Sequence, residues 1–182
     1  MIGRILYNIM GKKQALPPEK LSEGAPEATF AEAGAGSGEE KEKIFDGAFR
    51  RSVRIRQVDA GSCNACEWEC TALTNPVYDI QRFGIDFVAS PRHADILLVT
   101  GPVSAAMANA LKKTFLATPD PKIVIACGDC AKDGGIYKGS YAVTDGAHKV
   151  VPVDACIPGC PPKPAAIATC IMQIMKVLSK IK

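Results

Sequence analysis

Three short cysteine-bearing segments, each placed just after a short β-branched run, constrain this chain more than any other feature. Gly61-Ser62-Cys63-Asn64-Ala65-Cys66 follows the run from Val53 to Val58, and Cys127-Gly128-Asp129-Cys130 follows Ile123 to Ala126. Cys156-Ile157-Pro158-Gly159-Cys160-Pro161-Pro162 follows Val150 to Val153. Two more such runs, Ile85 to Val88 and Ile96 to Thr100, lie between them, and helix-capable segments separate all five, so the pattern is α/β. A mostly parallel, doubly wound sheet is the economical solution. The loops that follow parallel strands share one edge. Cysteines remote in sequence therefore converge at the carboxyl ends of the strands, where open α/β sheets place their sites.

Leu97-Leu98-Val99 and Ile123-Val124-Ile125 are continuous apolar runs, expected of central strands covered on both faces. Helices are expected at Glu67 to about Asn75, Ser104 to about Ala117 and Pro164 to about Ile181. Lys176, Lys180 and Lys182 sit in the last turns of the third, where cations suit the helix dipole. Upstream, Ile2, Ile5, Leu6 and Ile9 fall near one helical face, so residues 1–14 are a candidate amphipathic docking helix. Residues 15–50 shift to Pro, Glu, Gly, Ala and Ser and read as an extended or disordered tether, leaving 51–182 as the α/β domain.

The chain has 182 residues, 47% of them hydrophobic, enough for one core. Its net charge of +3 contains no basic block, so nucleic acid is not an expected partner. No apolar run approaches the roughly 18 residues of a membrane span, and no signal-peptide core is visible at the start. A soluble, cytoplasmic chain is the expectation.

Eight cysteines could form disulfides, but small disulfide scaffolds are loop-rich, whereas these cysteines punctuate strong strand and helix signals. Metal ligation fits better. Cys63 and Cys66 alone could be a redox pair or half a zinc site. With two further cysteine loops at the same edge, four soft thiolates become available for a [4Fe-4S] cube. Small residues Gly61, Ser62 and Ala65 let backbone N–H groups approach a polyanionic cluster, and Pro158, Pro161, Pro162 and Pro164 stiffen the last loop. A four-cysteine zinc site stabilising an assembly scaffold is the physical rival. Spacing alone does not choose between Cys127 and Cys130, or between Cys156 and Cys160. Cys70, four residues after Cys66, would share its helical face, and Cys170 falls in the apolar C-terminal helix.

These motifs resemble a known family, the cluster-bearing small subunits of nickel-iron hydrogenases and their homologous counterpart in complex I. The resemblance covers about residues 55–178. It is carried by Asp59-Ala60-Gly61-Ser62-Cys63-Asn64-Ala65-Cys66-Glu67, by Pro91-Arg92-His93-Ala94-Asp95-Ile96-Leu97, by Gly128-Asp129-Cys130-Ala131-Lys132-Asp133-Gly134-Gly135 and by Pro158-Gly159-Cys160-Pro161-Pro162. It implies a flavodoxin-like fold and one [4Fe-4S] cluster on Cys63, Cys66, Cys130 and Cys160. The Cys-x-x-Cys form is similar to hydrogenase subunits, whereas complex I subunits have tandem cysteines there. The chain thus resembles the small subunit of a membrane-bound, complex-I-related (group 4) hydrogenase.

That resemblance implies a large catalytic subunit carrying a nickel-iron centre, a ferredoxin-like [4Fe-4S] subunit, integral membrane subunits, and a peripheral place on the cytoplasmic side of the membrane. A quinone oxidoreductase of complex-I type without nickel is the alternative. Ala65 and the Trp68-Glu69-Cys70 stretch depart from the usual pattern after the first cysteine, as do Cys127 and Cys156. Glu67 matches a family carboxylate proposed to carry protons; its plain alternative is a helix N-terminal glutamate favoured by the dipole. Gly134 and Gly135 fit no phosphate-loop pattern and are expected to allow close approach to the cluster.

Overall fold

A computed structural model describes residues 29–30 and 52–180. Six strands form one sheet: β1 (Thr29–Phe30), β2 (Val53–Asp59), β3 (Ile85–Phe87), β4 (Ile96–Thr100), β5 (Ile123–Cys127) and β6 (Ala155–Ile157). Their order across the sheet is β1-β6-β5-β4-β2-β3. β2 to β6 are all parallel, and β1 closes the β6 edge antiparallel, with Thr29 opposite Cys156 and Phe30 opposite Ala155. From β2 onward this is the doubly wound order with its switch point between β2 and β4. The flavodoxin-like expectation holds.

β4 and β5 are buried at every position, as their uninterrupted apolar sequences require. One core lies on the face where Ile55, Ile96, Leu98 and Ile125 meet helices α1 (Ala65–Ala72) and α4 (Pro164–Lys180). The other lies where Leu97, Val99 and Val124 meet α2 (Ala105–Ala117). The side chain of Ser104 caps α2 by accepting the Met107 N–H at 3.3 Å. Proline opens α4, where its missing N–H has no partner to lose.

Two expectations need correction. The fifth strand does not run from Val150 to Val153. Pro152 has no N–H for a ladder, and the Val150 and Val151 amides instead turn back onto the Ala147 carbonyl. Pairing with β5 starts only at Asp154, whose N–H reaches the Val124 carbonyl and whose carboxylate accepts the Val124 N–H at 2.9 Å. Cys156 is therefore inside β6, and Cys127 is the last residue of β5; neither lies in a loop. In addition, a short helix α3 (Asp129–Asp133) follows β5, where no helix was expected. Five residues are too few to show a helical period.

The candidate docking helix at residues 1–14 lies outside the described residues. So does the stretch 15–50, apart from Thr29 and Phe30 in β1.

Candidate metal centre

Three loops at the carboxyl edge build the site. After β2 the Asp59 carboxylate accepts the Gly61 and Ser62 N–H groups at 2.9 and 2.8 Å, and the Ser62 hydroxyl accepts that of Asn64 at 3.0 Å. These local bonds hold the turn, and Ala60 ties it to the end of β4 and to Ser104. It leaves Cys63 exposed and delivers Cys66 into the first turn of α1. The second and third loops are stapled to each other: the Asp129 N–H donates to the Gly159 carbonyl at 2.9 Å, and the Asp129 carboxylate accepts the Gly159 N–H at 2.9 Å. Cys130 and Cys160, remote in sequence, are thereby held side by side.

Glycine is required at two points. At Gly128, φ is +90° and a Cβ would lie 2.8 Å from the Cys66 sulfur, so a side chain would push that sulfur away. At Gly135, φ is +52° and a Cβ would lie 3.0 Å from the sulfur of Cys130. Gly135 thus does allow a close approach at the site, whereas a Cβ on Gly134 would meet Lys138 and Asp145 instead.

Cys63, Cys66, Cys130 and Cys160 line one recess of about 300 Å³, open space at its mouth included. Ser62, Gly101, Pro102 and Pro161 supply other parts of its wall, which is almost wholly apolar. Burial pushes the Cys130 thiol up to about 11, and the neighbouring Cys160, Cys66 and Cys63 sulfurs add to the shift in that order. The Cys130 thiol is therefore close enough to the other three to be affected by each. The Ile136 N–H donates to the Cys130 sulfur and pulls the other way. Among the described residues, no three His, Cys, Asp or Glu side chains converge closely enough to hold a single metal ion.

The other four thiols do not line the recess. Cys70 and Cys127 are buried in the core on the α1 and α4 side. Cys156 points to the opposite face of β6 from Ala155 and Ile157. Burial is the first cause that raises its thiol, with Lys132 opposing. Cys170 is buried in α4, where burial raises its thiol to about 12. A larger groove, beside α1 and β3 and lined by Arg56, Thr74 and Phe87, contains none of the loop cysteines.

Glu67 reaches back under the site. One of its carboxylate oxygens accepts a hydrogen bond from the hydroxyl of fully buried Thr100, while the other is buried without a partner among the described residues. Trp68, next to it, is 67% exposed and does not cover the recess. Asp129 and Asp59 shape the site although neither was expected to. For Asp59 the signal is present in the sequence, an aspartate two positions before a glycine; for Asp129 it is not, because its partner Gly159 is thirty residues away.

Comparison with known proteins agrees with the fold and the motifs. Residues 63–174 match the family described as NADH ubiquinone oxidoreductase, 20 kDa subunit. The chain is 51% identical over 118 residues to formate hydrogenlyase subunit 7 of Escherichia coli, a match covering 65% of the chain and 46% of that relative. The chain thus spans about half of that relative's length. It is 44% identical over 131 residues to the probable membrane-bound hydrogenase subunit mbhJ of Pyrococcus furiosus, covering 72% of the chain and 78% of the relative. Among solved structures, a chain of the membrane-bound sulfane sulfur reductase, an archaeal respiratory membrane complex, superimposes with a TM-score of 0.64 at 35% identity. That match covers 73% of each chain. No helix among the described residues is long and apolar enough to cross a membrane.

Proposed function

The chain belongs to the family of the 20 kDa subunit of NADH ubiquinone oxidoreductase, and from that premise we propose that it carries one [4Fe-4S] cluster on Cys63, Cys66, Cys130 and Cys160. The single observation that carries this reading is the convergence of those four thiols, from three loops, on one apolar recess. The donor set is four soft thiolates, the glycines at 128 and 135 leave room at two of the sulfurs, and backbone donors such as the Ile136 N–H reach them. A structural zinc ion would need its four ligands about 2.3 Å from one point. The thiols are instead spread around a wall, and there Cys63, Cys66, Cys130 and Cys160 would each supply one thiolate to one iron.

When bound, such a cluster supplies one-electron transfer without bond-making chemistry. The residues of this chain do the rest. The Asp129 staple fixes the spacing of Cys130 and Cys160, and Pro102 and Pro161 supply apolar wall. Glu67, held by Thr100 with one buried oxygen unpaired, is placed to hold a proton beside Cys66.

The wider role is an electron relay between a ferredoxin-like subunit and the nickel-iron large subunit of a complex-I-related membrane-bound hydrogenase. The chain would sit peripherally on the cytoplasmic side, against integral membrane subunits. Support comes from the Cys-x-x-Cys form of the first motif and from hydrogenase subunits among the relatives. The solved sulfane sulfur reductase, at 35% identity, favours a second reading in which the large subunit reduces something other than protons. Isolating the complex from detergent-solubilised membranes separates the two. The hydrogenase reading expects nickel in the complex and reduction of this chain's cluster under hydrogen. Iron without nickel, and no reduction by hydrogen, would overturn it.

A further inference from the structure

One turn in the recess wall is held against the preference of its own residue. Val103 is fully buried and has a φ of +57°. A β-branched residue is a rare occupant of that left-handed region, and such strain persists only where neighbouring contacts impose it. The contacts here are explicit. The Val103 carbonyl accepts both the Thr144 N–H at 2.9 Å and the Thr144 hydroxyl at 3.0 Å. The Pro102 carbonyl before it accepts the Gly146 N–H at 3.3 Å, and the Ser104 N–H after it donates to the Ala60 carbonyl at 2.8 Å.

The same turn packs against the first cysteine loop through two glycines. A Cβ at Gly101 would lie 2.7 Å from the Ser62 nitrogen, and one at Gly61 would lie 2.8 Å from the Ser104 hydroxyl oxygen. Both backbones approach too closely for a side chain. Gly101, Pro102, Ser62 and Cys63 all line the recess. The segment that supplies Thr144 starts beside Cys130, where Gly135 packs on that sulfur. It therefore joins the Cys130 side of the recess to the turn that supports the Cys63 loop.

We propose that Thr144 is a positioning residue for Cys63: its two hydrogen bonds hold Val103 in the left-handed conformation, which presses Gly101 onto Ser62 and fixes the first cysteine loop at the recess. The carbonyl of Val103 has two lone pairs, and Thr144 engages it twice, so the direction of that peptide is set. Without the hydroxyl, the Val103 backbone relaxes and Gly101 moves off Ser62. A ligand holds its geometry only as well as the residues that support it. The consequence for the site rests on the reading of Cys63 as a cluster ligand; the effect on the loop does not.

The test compares the isolated complex, unaltered and with Thr144→Val, Thr144→Ser or Thr144→Ala. Three measurements are made: hydrogen–deuterium exchange, EPR after dithionite, and the rate of iron transfer to an external chelator. Valine matches threonine in shape without the hydroxyl, serine keeps the hydroxyl, and alanine decides the matter should valine fail to assemble. The amides of Gly61, Ser62 and Asn64 are hydrogen-bonded, so peptides covering 60–64 report the loop, while peptides covering β5 report the fold. Valine and alanine should give severalfold faster exchange over 60–64 with β5 unchanged. They should also alter the line shape of the reduced cluster at full iron content and speed iron transfer severalfold, and serine should restore all three. Unchanged exchange over 60–64 in the valine variant would overturn the proposal. So would serine behaving as valine does, or equal acceleration in β5, which would make Thr144 a general stabiliser. Faster loop exchange with unaltered line shape and iron transfer would detach the turn from the site and overturn the positioning role. Absence of reducible iron from the unaltered complex would sink the cluster reading alone, and the exchange comparison would still decide what Thr144 holds.

Discussion

The cysteines of this chain fall into two groups that differ by only a few positions of register. Cys63, Cys66, Cys130 and Cys160 stand beyond the strand ends, in loops or the first turns of helices that open on a recess. Cys70, Cys127, Cys156 and Cys170 stand inside helices or strands. Cys127 and Cys130 are near neighbours in sequence, yet one belongs to the core and the other to the site. What separates them is the end of β5. A strand residue must face one side of the sheet or the other, whereas a residue past the edge can face along it. The same thiol group packs into the core in one place and lines a recess in the other.

The comparison breaks most sharply at the ligands. Cys66→Ser or Cys130→Ser should remove most of the bound iron while leaving the unfolding free energy of the cluster-free chain within about 1 kcal/mol; metal analysis beside a denaturant titration reads both. Leu98→Ala, in the fully buried β4, should do the opposite. It should cost about 2–5 kcal/mol of stability with iron per folded chain unchanged. Gly128→Ala strikes both groups at once, because a Cβ there meets the Cys66 sulfur at a positive φ. A loss of about 1–3 kcal/mol is expected together with reduced iron loading.

The smallest effects belong to the interior thiols. Cys170→Ala should cost about 1 kcal/mol and leave the iron untouched. Thiol chemistry on the cluster-free chain gives a graded version of the same contrast. Iodoacetamide should reach exposed Cys63 and Cys160 first and the buried Cys70, Cys127 and Cys170 last. Raised values near 11 for Cys130 and 12 for Cys170 mean these thiols stay protonated at neutral pH, so their labelling should quicken only as the pH climbs toward those values. Peptide mass spectrometry across a pH series checks the order, and fast labelling of Cys170 at neutral pH would remove it from the interior group.

Much of this division can be read in the sequence, for reasons tied to particular residues. β4 and β5 announce themselves because central strands of a parallel sheet bury both faces and so demand unbroken apolar runs, while β2 shows only as Val53, Ile55 and Val58 set among polar residues. The run Val150 to Val153 mimics that signal, and only the missing N–H of Pro152 betrays it. The misplaced strand mattered: with β6 at its true position, Cys156 moves from a loop into the sheet. Helix α3 gave too little periodicity to detect. β1 is invisible locally, since Thr29 and Phe30 are strand residues only through the free edge of β6. The choice of Cys130 over Cys127 came from motif resemblance, and the register of β5 now gives it a physical reason.

The most direct test of the central claim is iron, acid-labile sulfide and EPR analysis of the protein purified without oxygen and reduced with dithionite. The account predicts about four iron and four sulfide per chain, with a reduced-cluster signal that disappears when Cys63, Cys66, Cys130 or Cys160 is replaced and survives replacement of Cys70, Cys156 or Cys170. Zinc without labile sulfide, or an iron signal indifferent to the loss of Cys130 and Cys160, would contradict it.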